Sequence, residues 1–299
     1  MSIDLSKLLT ERRNANSANI DTLSTEEMLT VINNEDQQVA HAITPYIPQI
    51  AQLVDSVANA FRHGGRLIYI GAGTSGRLGI LDASECPPTF GTRPEQVVGL
   101  IAGGHTAILK AVENVEDNAA QGAEDLQALG FNQHDVLVGI AASGRTPYVL
   151  GAMAYAHQQN ALVAIVSCNP HGEMAQRADI AITPVVGPEV VTGSTRLKAG
   201  TAQKLVLNMI TTGAMIRSGK VYSNLMVDVE ATNAKLIERQ ISIVMEATEC
   251  DRPTAQAALD ACGRHCKTAI VMVLANLSAE AATQLLADNG GFIRKALQH

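Results

Sequence analysis

The chain has 299 residues, of which 46% are hydrophobic and 17% charged, so it is long enough for one large domain and a smaller one. Its net charge of −7 and its few aromatic residues, with no tryptophan, argue against the basic surface and stacking platforms of a nucleic-acid-binding protein. We expect no nucleic-acid partner, and we expect local geometry to hold any anionic ligand, because the overall field repels it.

The start of the chain has no pattern typical of secretion. Residues 1–21 are polar and lack the apolar core of a signal peptide. The longest apolar stretches, Leu205–Ile216 and Ala269–Leu277, are too short to span a membrane. The five cysteines have irregular spacing, which favours reduced thiols over disulfides. The sequence therefore predicts a cytoplasmic protein without a membrane partner.

The first predicted elements are helical. The segment from Ser24 to Glu27 has the pattern of a helix start, in which a serine caps the helix and a glutamate follows three residues later. Between Val39 and His63 the spacing of apolar residues predicts one amphipathic helix, which ends at the glycine pair that begins with Gly64.

The central part predicts a parallel β-sheet. Five short apolar runs alternate with helical stretches, and their nearly continuous apolar character indicates burial on both faces. Strands of this kind lie between layers of helices in an α/β fold. The predicted strands are Leu67–Ile70, Val97–Ala102, Val136–Ile140, Leu162–Ser167 and Ile180–Val186.

The last third of the chain predicts helices. A long helical stretch extends from Lys198 to Ser218, and no strand pattern follows Gly219. From Asn224 to His299 the chain has several short helical stretches separated by turn residues. The sequence therefore predicts a small helical domain at this end.

Two of the strand-to-helix loops are rich in glycine and hydroxyl residues. The first predicted strand leads into Gly71–Arg77, and the third leads into Ala141–Thr146. Such a loop offers backbone N–H groups, hydroxyls and a helix N-terminus to one anion. Two of them at the carboxyl ends of parallel strands predict a site for a phosphorylated small molecule.

The first loop also matches the G-x-G-x-x-G pattern of dinucleotide-binding proteins. A dinucleotide site needs an acidic residue at the end of the next strand, where this chain has Gly103, Gly104 and His105. The residues alone leave three interpretations open: a phosphomonoester site, a dinucleotide site and a purely structural turn. The phosphomonoester site is favoured because the second loop repeats the same chemistry.

Three stretches resemble the signatures of the sugar isomerase (SIS) phosphosugar-binding domain, namely Gly71–Arg77, Ser143–Thr146 and Gly187–Thr195. Over Gly71–Pro88 the chain is similar, residue for residue, to the N-acetylmuramic acid 6-phosphate etherase family. The likeness covers nearly the whole chain. Further similar stretches are Thr10–Asp21, Leu100–Gly104, Ala111–Asp117, Asn208-Met209 and Asn224–Asp228.

The resemblance implies a fold and a domain organisation. The expected fold is an α/β, SIS-type three-layer sandwich with a central five-stranded parallel sheet flanked by helices, plus a small C-terminal all-helical domain. The implied divisions are a helical arm over residues 1–50, a phosphosugar-binding domain over residues 51–220, and a helical, UBA-like domain over residues 221–299.

The family resemblance also implies a reaction. These enzymes cleave the D-lactyl ether of N-acetylmuramic acid 6-phosphate to give N-acetylglucosamine 6-phosphate and D-lactate, in cell-wall recycling. An ether is a poor electrophile, so removal of the acidic C2 proton, loss of lactate and addition of water form a reasonable route. This route needs two proton-transfer groups and no metal or redox cofactor. A homodimer whose subunits share a pocket is expected.

By family position, Glu85 is expected to act as the general acid that protonates the departing lactate, and Glu116 as the base at C2, with Asp117 as its local rival. Arg77 and Arg145 are equally well interpreted as anion ligands or as surface arginines. The expected phosphate and substrate ligands are Thr74, Ser75, Ser143, Gly144, Thr146, Glu189, Ser194 and Thr195.

Two other function classes and a metal site are weighed against this one. A sugar-phosphate sensor related to the glucokinase regulatory proteins would give no product, and an aldose–ketose isomerase would shift the carbonyl without expelling lactate. His265 lies between Cys262 and Cys266, but no second ligand pair has a suitable spacing, so we expect no metal.

Overall fold

The structure is a computed structural model that describes residues 9–231 and 233–298. The β-strands are β1 (Leu67–Gly71), β2 (Val97–Ile101), β3 (Val136–Ile140), β4 (Leu162–Val166), β5 (Ile180–Ile182), β6 (Val221–Tyr222) and β7 (Leu225–Met226). The α-helices are α1 (Thr25–Asp36), α2 (Gln38–Ile43), α3 (Ile47–Arg62), α4 (Gly73–Phe90), α5 (Gly104–Leu109), α6 (Ala119–Ala128), α7 (Pro147–Gln158), α8 (Glu173–Arg177), α9 (Lys198–Arg217), α10 (Ala234–Thr248), α11 (Arg252–Ala261), α12 (Cys266–Ala275), α13 (Ala279–Asp288) and α14 (Ile293–Ala296). Short 3₁₀ turns lie at Leu9–Glu11, Ala15–Ser17, Ile20–Thr22, Thr44–Tyr46 and Val115–Asp117.

The strands β1 to β5 form one parallel sheet in the order β2-β1-β3-β4-β5. Ile68 of β1 pairs with Val98 of β2 on one side and with Leu137 of β3 on the other. Every residue of β1 and β3 is buried, as their continuous apolar sequences predict. The predicted five-stranded parallel sheet is confirmed. Because all five strands point the same way, their carboxyl-terminal loops emerge at one edge, where α/β proteins bind ligands.

Helices cover the sheet and complete its core. Leu126 of α6 and Val149 and Met153 of α7 are fully or almost fully buried in one hydrophobic cluster with Ile68 and Leu137 of the sheet. Burial of side chains of this size contributes about 1.5–3 kcal/mol each. The same cluster therefore stabilises the sheet and holds the strand ends in register.

The start of the first helix is as predicted from the sequence, whereas the helix predicted after it is divided. Ser24 and Glu27 form the predicted capping box of α1. The single helix predicted for residues 39–63 is wrong, because the structure divides this stretch into α2, a 3₁₀ turn and α3. Pro45 and Pro48 lie at the junction, and prolines cannot donate the backbone hydrogen bond that would continue a helix.

The C-terminal helices form their own hydrophobic cluster. Ile241 and Val244 of α10, Leu259 of α11 and Ile270 of α12 are buried together. The predicted helical character of this region is confirmed, with one addition. A small antiparallel pair, β6 and β7, precedes the helices and turns at Ser223, which has a φ of 57°. Two-residue strands are too short to leave a periodic signal in the sequence.

The chain divides into two compact units. The first comprises the described residues up to Ser84 together with Glu95–Thr211, and the second comprises Glu85–Pro94 together with the described residues from Thr212 onward. The implied domain borders after residues 50 and 220 stay a prediction. Within the described ranges, no single helix is long and apolar enough to cross a membrane; α12 and α13 pass such a test only as a pair, which is bent by 104°.

Candidate functional site

The first glycine-rich loop is a close junction between β1 and α4. A Cβ atom on Gly71 would lie 2.8 Å from the backbone nitrogen of Gly76, and one on Gly76 would lie 2.7 Å from the carbonyl oxygen of Gly71. Both positions need glycine because the strand and the helix touch there through their backbones. Packing therefore accounts for two glycines of the dinucleotide-like pattern. It also places Thr74 and Ser75 in the first turn of α4, which begins at Gly73.

Ser75 and Thr74 both lie against α9. The hydroxyl of Ser75 donates a hydrogen bond to Oε1 of Gln203 at 3.0 Å. Gln203 is 1% exposed, and among the described residues its Nε2 has no hydrogen-bond partner. The methyl group of Thr74 is 3.4 Å from the place that a Cβ atom on Gly200 would take. A buried donor without a partner is costly, by about 1–3 kcal/mol, so an acceptor from a ligand would stabilise this position.

The loop after β3 turns through the left-handed region at Gly144, which has a φ of 68°. The side-chain amide of Asn169, which follows β4, donates to the carbonyl oxygen of Ser143 at 3.2 Å and so supports the loop. Thr146 precedes α7, whose first residue is Pro147, and its side chain makes no capping bond to the helix. The side chains of Ser143 and Thr146 are half-buried, so a ligand can reach them.

Glu189 is fully buried and caps α9. Its carboxylate oxygens accept hydrogen bonds from the backbone nitrogens of Lys198 and Ala199, each at 2.9 Å. A negative charge at a helix N-terminus is favourable because the first N–H groups lack partners within the helix. Burial and, to a smaller extent, the charge of Glu189 raise the pKa of the Cys168 thiol to about 12. The structure thus gives Glu189 a structural task, and its role at a sugar pocket stays a prediction.

Ser194 and Thr195 lie in the turn that leads into α9, and both are half-buried. The carbonyl oxygen of Thr195 accepts a hydrogen bond from the backbone nitrogen of Gly200 at 3.0 Å. Thr74 packs against the same glycine. The structure therefore brings the first and third signature stretches together at the beginning of α9.

The N-terminal segment holds the turn before α9. The carboxylate of Glu35 accepts from Nζ of Lys198 at 2.5 Å, from Nδ2 of Asn16 at 2.7 Å and from Nδ2 of Asn14 at 2.8 Å. Asn14 also donates to the carbonyl oxygen of Pro188 at 3.0 Å. Burial pushes the pKa of Glu35 upward, but these hydrogen bonds outweigh it and lower the pKa. No sequence pattern predicts this contact.

Glu116 and Arg77 line one cavity of about 370 Å³ in the first unit. Gly73 and Glu113 also line it, whereas Asp117 does not. Nε of Arg77 donates to the carbonyl oxygen of Ile108 at 2.9 Å, which fixes the guanidinium. A carboxylate that can take a proton and a cation that can hold an anion therefore lie beside the first phosphate loop.

Glu85 lies on α4, in the part of the helix that belongs to the second unit, and its side chain is exposed. The neighbouring Cys86 is buried. The helix continues past Glu85 through Pro87 and Pro88 to Phe90. The proposed cooperation of Glu85 with Glu116 stays a prediction.

Asp82 is a further buried carboxylate of α4 that the sequence did not single out. It accepts hydrogen bonds from the hydroxyl of Tyr69 at 2.9 Å, from Nδ2 of Asn208 at 2.8 Å and from the hydroxyl of Thr211 at 3.2 Å. Burial raises its pKa, and these three donors oppose that effect. Asp82 ties α4 to β1 and α9.

The structure adds Gln203, Asn169 and Asp82 to the expected site residues. The signal that could have found Asp82 is a polar residue within an apolar stretch of helix, since buried polar groups in proteins carry partners. Gln203 lies between Thr201 and Lys204, so no such signal marks it. Asn169 lies three residues after the end of the buried strand β4, and the loops at strand ends are a common place for ligand and support residues in α/β folds.

Comparison with known proteins decides the family. Residues 49–157 match the family described as the glucokinase regulatory protein N-terminal SIS domain. Over 299 residues the chain is 85% identical to an N-acetylmuramic acid 6-phosphate etherase of Klebsiella aerogenes, with 100% of both chains covered. The chain belongs to the N-acetylmuramic acid 6-phosphate etherase family. Another etherase of this family, from Photobacterium profundum, is 71% identical over 297 residues, or 99% of each chain. The expected enzyme class is confirmed.

The chain is also similar in fold to solved structures of other proteins. A protein of Escherichia coli strain CFT073 has a TM-score of 0.50 at 14% identity, and the match covers 68% of this chain and 97% of the Escherichia coli chain. A phosphoheptose isomerase of Neisseria gonorrhoeae has a TM-score of 0.48 at 19% identity, and the match covers 64% of this chain and 98% of the isomerase. At such identities the likeness concerns the fold alone. With the parallel sheet and the SIS match at residues 49–157, the expected SIS-type fold of this etherase is confirmed.

Proposed function

We propose that the chain cleaves the D-lactyl ether of N-acetylmuramic acid 6-phosphate and releases D-lactate and N-acetylglucosamine 6-phosphate. The observation that carries this proposal is the full-length identity of 85% to an enzyme named for this activity. The half-buried hydroxyls at the carboxyl edge of the sheet support a phosphosugar as the substrate, because they offer several donors to a phosphate within a chain of net charge −7.

The phosphate would bind where the hydroxyl loops meet. Ser143 and Thr146 supply hydroxyl donors, and Gly144 allows the backbone to turn toward the ligand. The hydroxyl of Ser75 donates to Gln203, so Ser75 would contribute its backbone N–H at the start of α4. Thr74, Ser194 and Thr195 would complete the contacts. Glu189 holds α9 in place beside them. Because several of these groups are fixed by the packing of glycines and by backbone hydrogen bonds, little ordering is needed on binding.

The elimination step needs a base and an acid. In the open-chain sugar the C2 proton is acidic because it lies beside the aldehyde. Glu116 takes that proton, the electron pair forms the C2–C3 double bond, and the C3–O bond breaks. Glu85 gives its proton to the departing lactate oxygen. Water then adds at C3, Glu85 takes a proton from it, and Glu116 returns its proton to C2. Each proton transfer is expected to contribute about 10²–10⁴ in rate.

Glu116 is preferred to Asp117 as the base because Glu116 lines the cavity beside the first phosphate loop and Asp117 does not. Arg77 lines the same cavity and is a suitable ligand for the lactyl carboxylate, since a guanidinium binds carboxylates with paired hydrogen bonds.

A cytoplasmic homodimer with a shared pocket is part of the proposal. Leu81 and Met209 of the first unit are 51% and 39% exposed, and an interface would cover such apolar side chains. Cys168, Cys250, Cys262 and Cys266 are free thiols, which suits a reducing compartment. Light scattering of the purified chain tests the dimer: a single monomeric mass at micromolar concentration would remove that part of the proposal.

The test of the reaction is incubation with N-acetylmuramic acid 6-phosphate in D₂O, with lactate release and deuterium at C2 followed together. The wild type should release lactate and leave deuterium at C2. In Glu116→Gln the rates of lactate release and of deuterium incorporation at C2 should both fall by a factor of about 10²–10⁴. In Glu85→Gln the exchange at C2 should remain while the rate of lactate release falls. Glu113→Gln, which changes a second acid of the same cavity, is the matched control.

Asp117→Asn separates the two candidate bases. Loss of C2 exchange in Asp117→Asn, together with an active Glu116→Gln, would transfer the role of base to Asp117. An isomerised sugar without lactate would favour the isomerase, and tight binding of an unchanged sugar phosphate would favour the sensor.

A further inference from the structure

A second cavity lies wholly within the second unit and is used by none of the chemistry proposed above. Its volume is about 560 Å³, and its wall contains three cationic side chains, those of Lys220, Arg264 and Lys267. The carboxylates on its wall are Asp228 and Glu230. A volume of this size is within the usual range of small-molecule sites, about 300–1,000 Å³.

The two lysines share one buried carboxylate. Oδ2 of Asp228 lies 2.8 Å from Nζ of Lys267 and 3.1 Å from Nζ of Lys220, and the side chain of Asp228 is 6% exposed. The side chain of Lys267 is 8% exposed. Burial lowers the pKa of Lys267, and the charge of Asp228 opposes this effect. Two ammonium groups around a single carboxylate leave a surplus positive charge where solvent screening is weak.

Arg264 adds a guanidinium that is held in a fixed position. Its Nε donates to Oε1 of the buried Gln240 at 3.1 Å, and its Nη1 pairs with Oδ1 of Asp260 at 3.1 Å. Its Nη2 is buried, and among the described residues it has no hydrogen-bond partner. Gln240 is itself anchored, because its Nε2 donates to the carbonyl oxygens of Val229 and Arg264, each at 3.0 Å. An acceptor at Nη2 would remove an unmet hydrogen-bonding requirement.

The first turn of α12 faces the same space. Cys266 and Lys267, its first two residues, line the cavity. His265 precedes the helix but makes no capping bond; its Nδ1 lies 2.7 Å from the hydroxyl of Thr268 instead. Burial lowers the pKa of His265, so its ring adds no positive charge near neutral pH. The partial positive charge of the helix N-terminus is therefore directed at a cavity already rich in cations.

We propose that this cavity binds a phosphomonoester, with Lys220, Lys267 and Nη2 of Arg264 holding the phosphate. A phosphate dianion supplies both missing features, a negative charge for the surplus ammonium group and an acceptor for Nη2. The cavity is larger than a phosphate needs, and Gln240 and Glu230 on its wall offer polar partners for an attached sugar. The proposal does not rest on the etherase activity, because no residue assigned to that reaction lines this cavity.

The test uses amide hydrogen exchange of the full chain, which reports on this unit separately from the rest. Inorganic phosphate at millimolar concentration should slow exchange of the amides of Gly263–Thr268, relative to chloride at equal ionic strength. Unchanged exchange in the wild type at saturating phosphate would overturn the proposal. N-acetylglucosamine 6-phosphate forms the second arm: protection at lower concentration than with inorganic phosphate identifies a sugar phosphate as the ligand, and equal protection identifies free phosphate.

Two variants are expected to change phosphate affinity in opposite directions, so a folding defect cannot account for both results. Lys220→Gln leaves the pair of Lys267 and Asp228 intact, and it should weaken phosphate binding by about tenfold or more. Asp228→Asn removes the competing carboxylate and should tighten binding. Lys295→Gln, which changes an exposed lysine of the same unit outside the cavity, is the control. Equal affinities for Lys220→Gln and Lys295→Gln would overturn the proposal.

Discussion

Ser75 and Gln203 are 128 residues apart in sequence, and a buried hydrogen bond of 3.0 Å joins their side chains. The bond occupies the carbonyl oxygen of Gln203 and leaves its buried amide nitrogen without a partner among the described residues. The first phosphate loop and α9 are therefore linked through a side chain that still has two hydrogens to donate.

We expect Gln203→Met to raise the KM for the phosphosugar by about 10- to 100-fold, because the apolar side chain has similar length but cannot donate to the ligand or accept from Ser75. Steady-state kinetics of lactate release measures this. Gln52→Met, at an exposed position of α3, is the control. A KM equal to that of the wild type would show that the amide does not reach the substrate.

Glu189→Gln should lower the free energy of unfolding by about 1–3 kcal/mol, since an amide places its own donor against one of the two backbone N–H groups that begin α9. Urea denaturation followed by circular dichroism measures the change. The matched control is Glu173→Gln, which alters an exposed i,i+4 pair with Arg177 and should change stability by about 0.5 kcal/mol or less. Equal effects in the two variants would mean that the cap contributes little.

Asp82→Asn should change how stability depends on pH. Burial raises the pKa of Asp82 above its ordinary value of 3.8, so the folded chain holds that proton more tightly than the unfolded chain. The contribution to stability is then complete below the ordinary value and is lost as the pH rises through the folded pKa. Relative to Asp82→Asn, the wild type should lose stability between acidic and neutral pH. Unfolding curves that stay parallel across this range would contradict the expectation.

The contribution of Glu35 to folding stability depends on pH in the opposite direction. Its pKa is lowered, so its contribution is present above the ordinary value of 4.5 and is lost as the pH falls through the folded pKa. Lys198→Met, which leaves this carboxylate without its cation, should cost about 3–5 kcal/mol. The double variant Glu35→Gln, Lys198→Met should recover part of that loss. Chemical denaturation of the four proteins completes the cycle, and strict additivity of the two single changes would argue against coupling.

Elements whose signal is local were predictable from the sequence. Apolar runs such as Val136–Ile140 predicted the strands, because a strand that is buried on both faces has a continuous apolar sequence whatever its neighbours in the sheet are. The prolines at positions 45 and 48 carried a local signal as well, and the break they cause could have been predicted from their missing N–H groups.

The contacts that shape the candidate site were not predictable in this way. The bonds of Ser75 to Gln203 and of Glu35 to Lys198 join residues that are 128 and 163 positions apart, and no spacing rule relates them. The hydroxyls of the phosphate loops could be found because a glycine-rich turn is a local pattern. The family resemblance supplied Glu85 and Glu116, since an acid on a helix or in a turn is most often a solvated surface residue.

The contact between Gly71 and Gly76 has a consequence for how a ligand is received. With backbone atoms so close that no Cβ fits at either position, the junction of β1 and α4 has little freedom to adopt another shape. A loop of this kind is complete before the ligand arrives. The loop should keep the same backbone conformation with and without ligand. The association rate should therefore be limited by diffusion and by opening of the sugar ring, and not by a rearrangement of the loop.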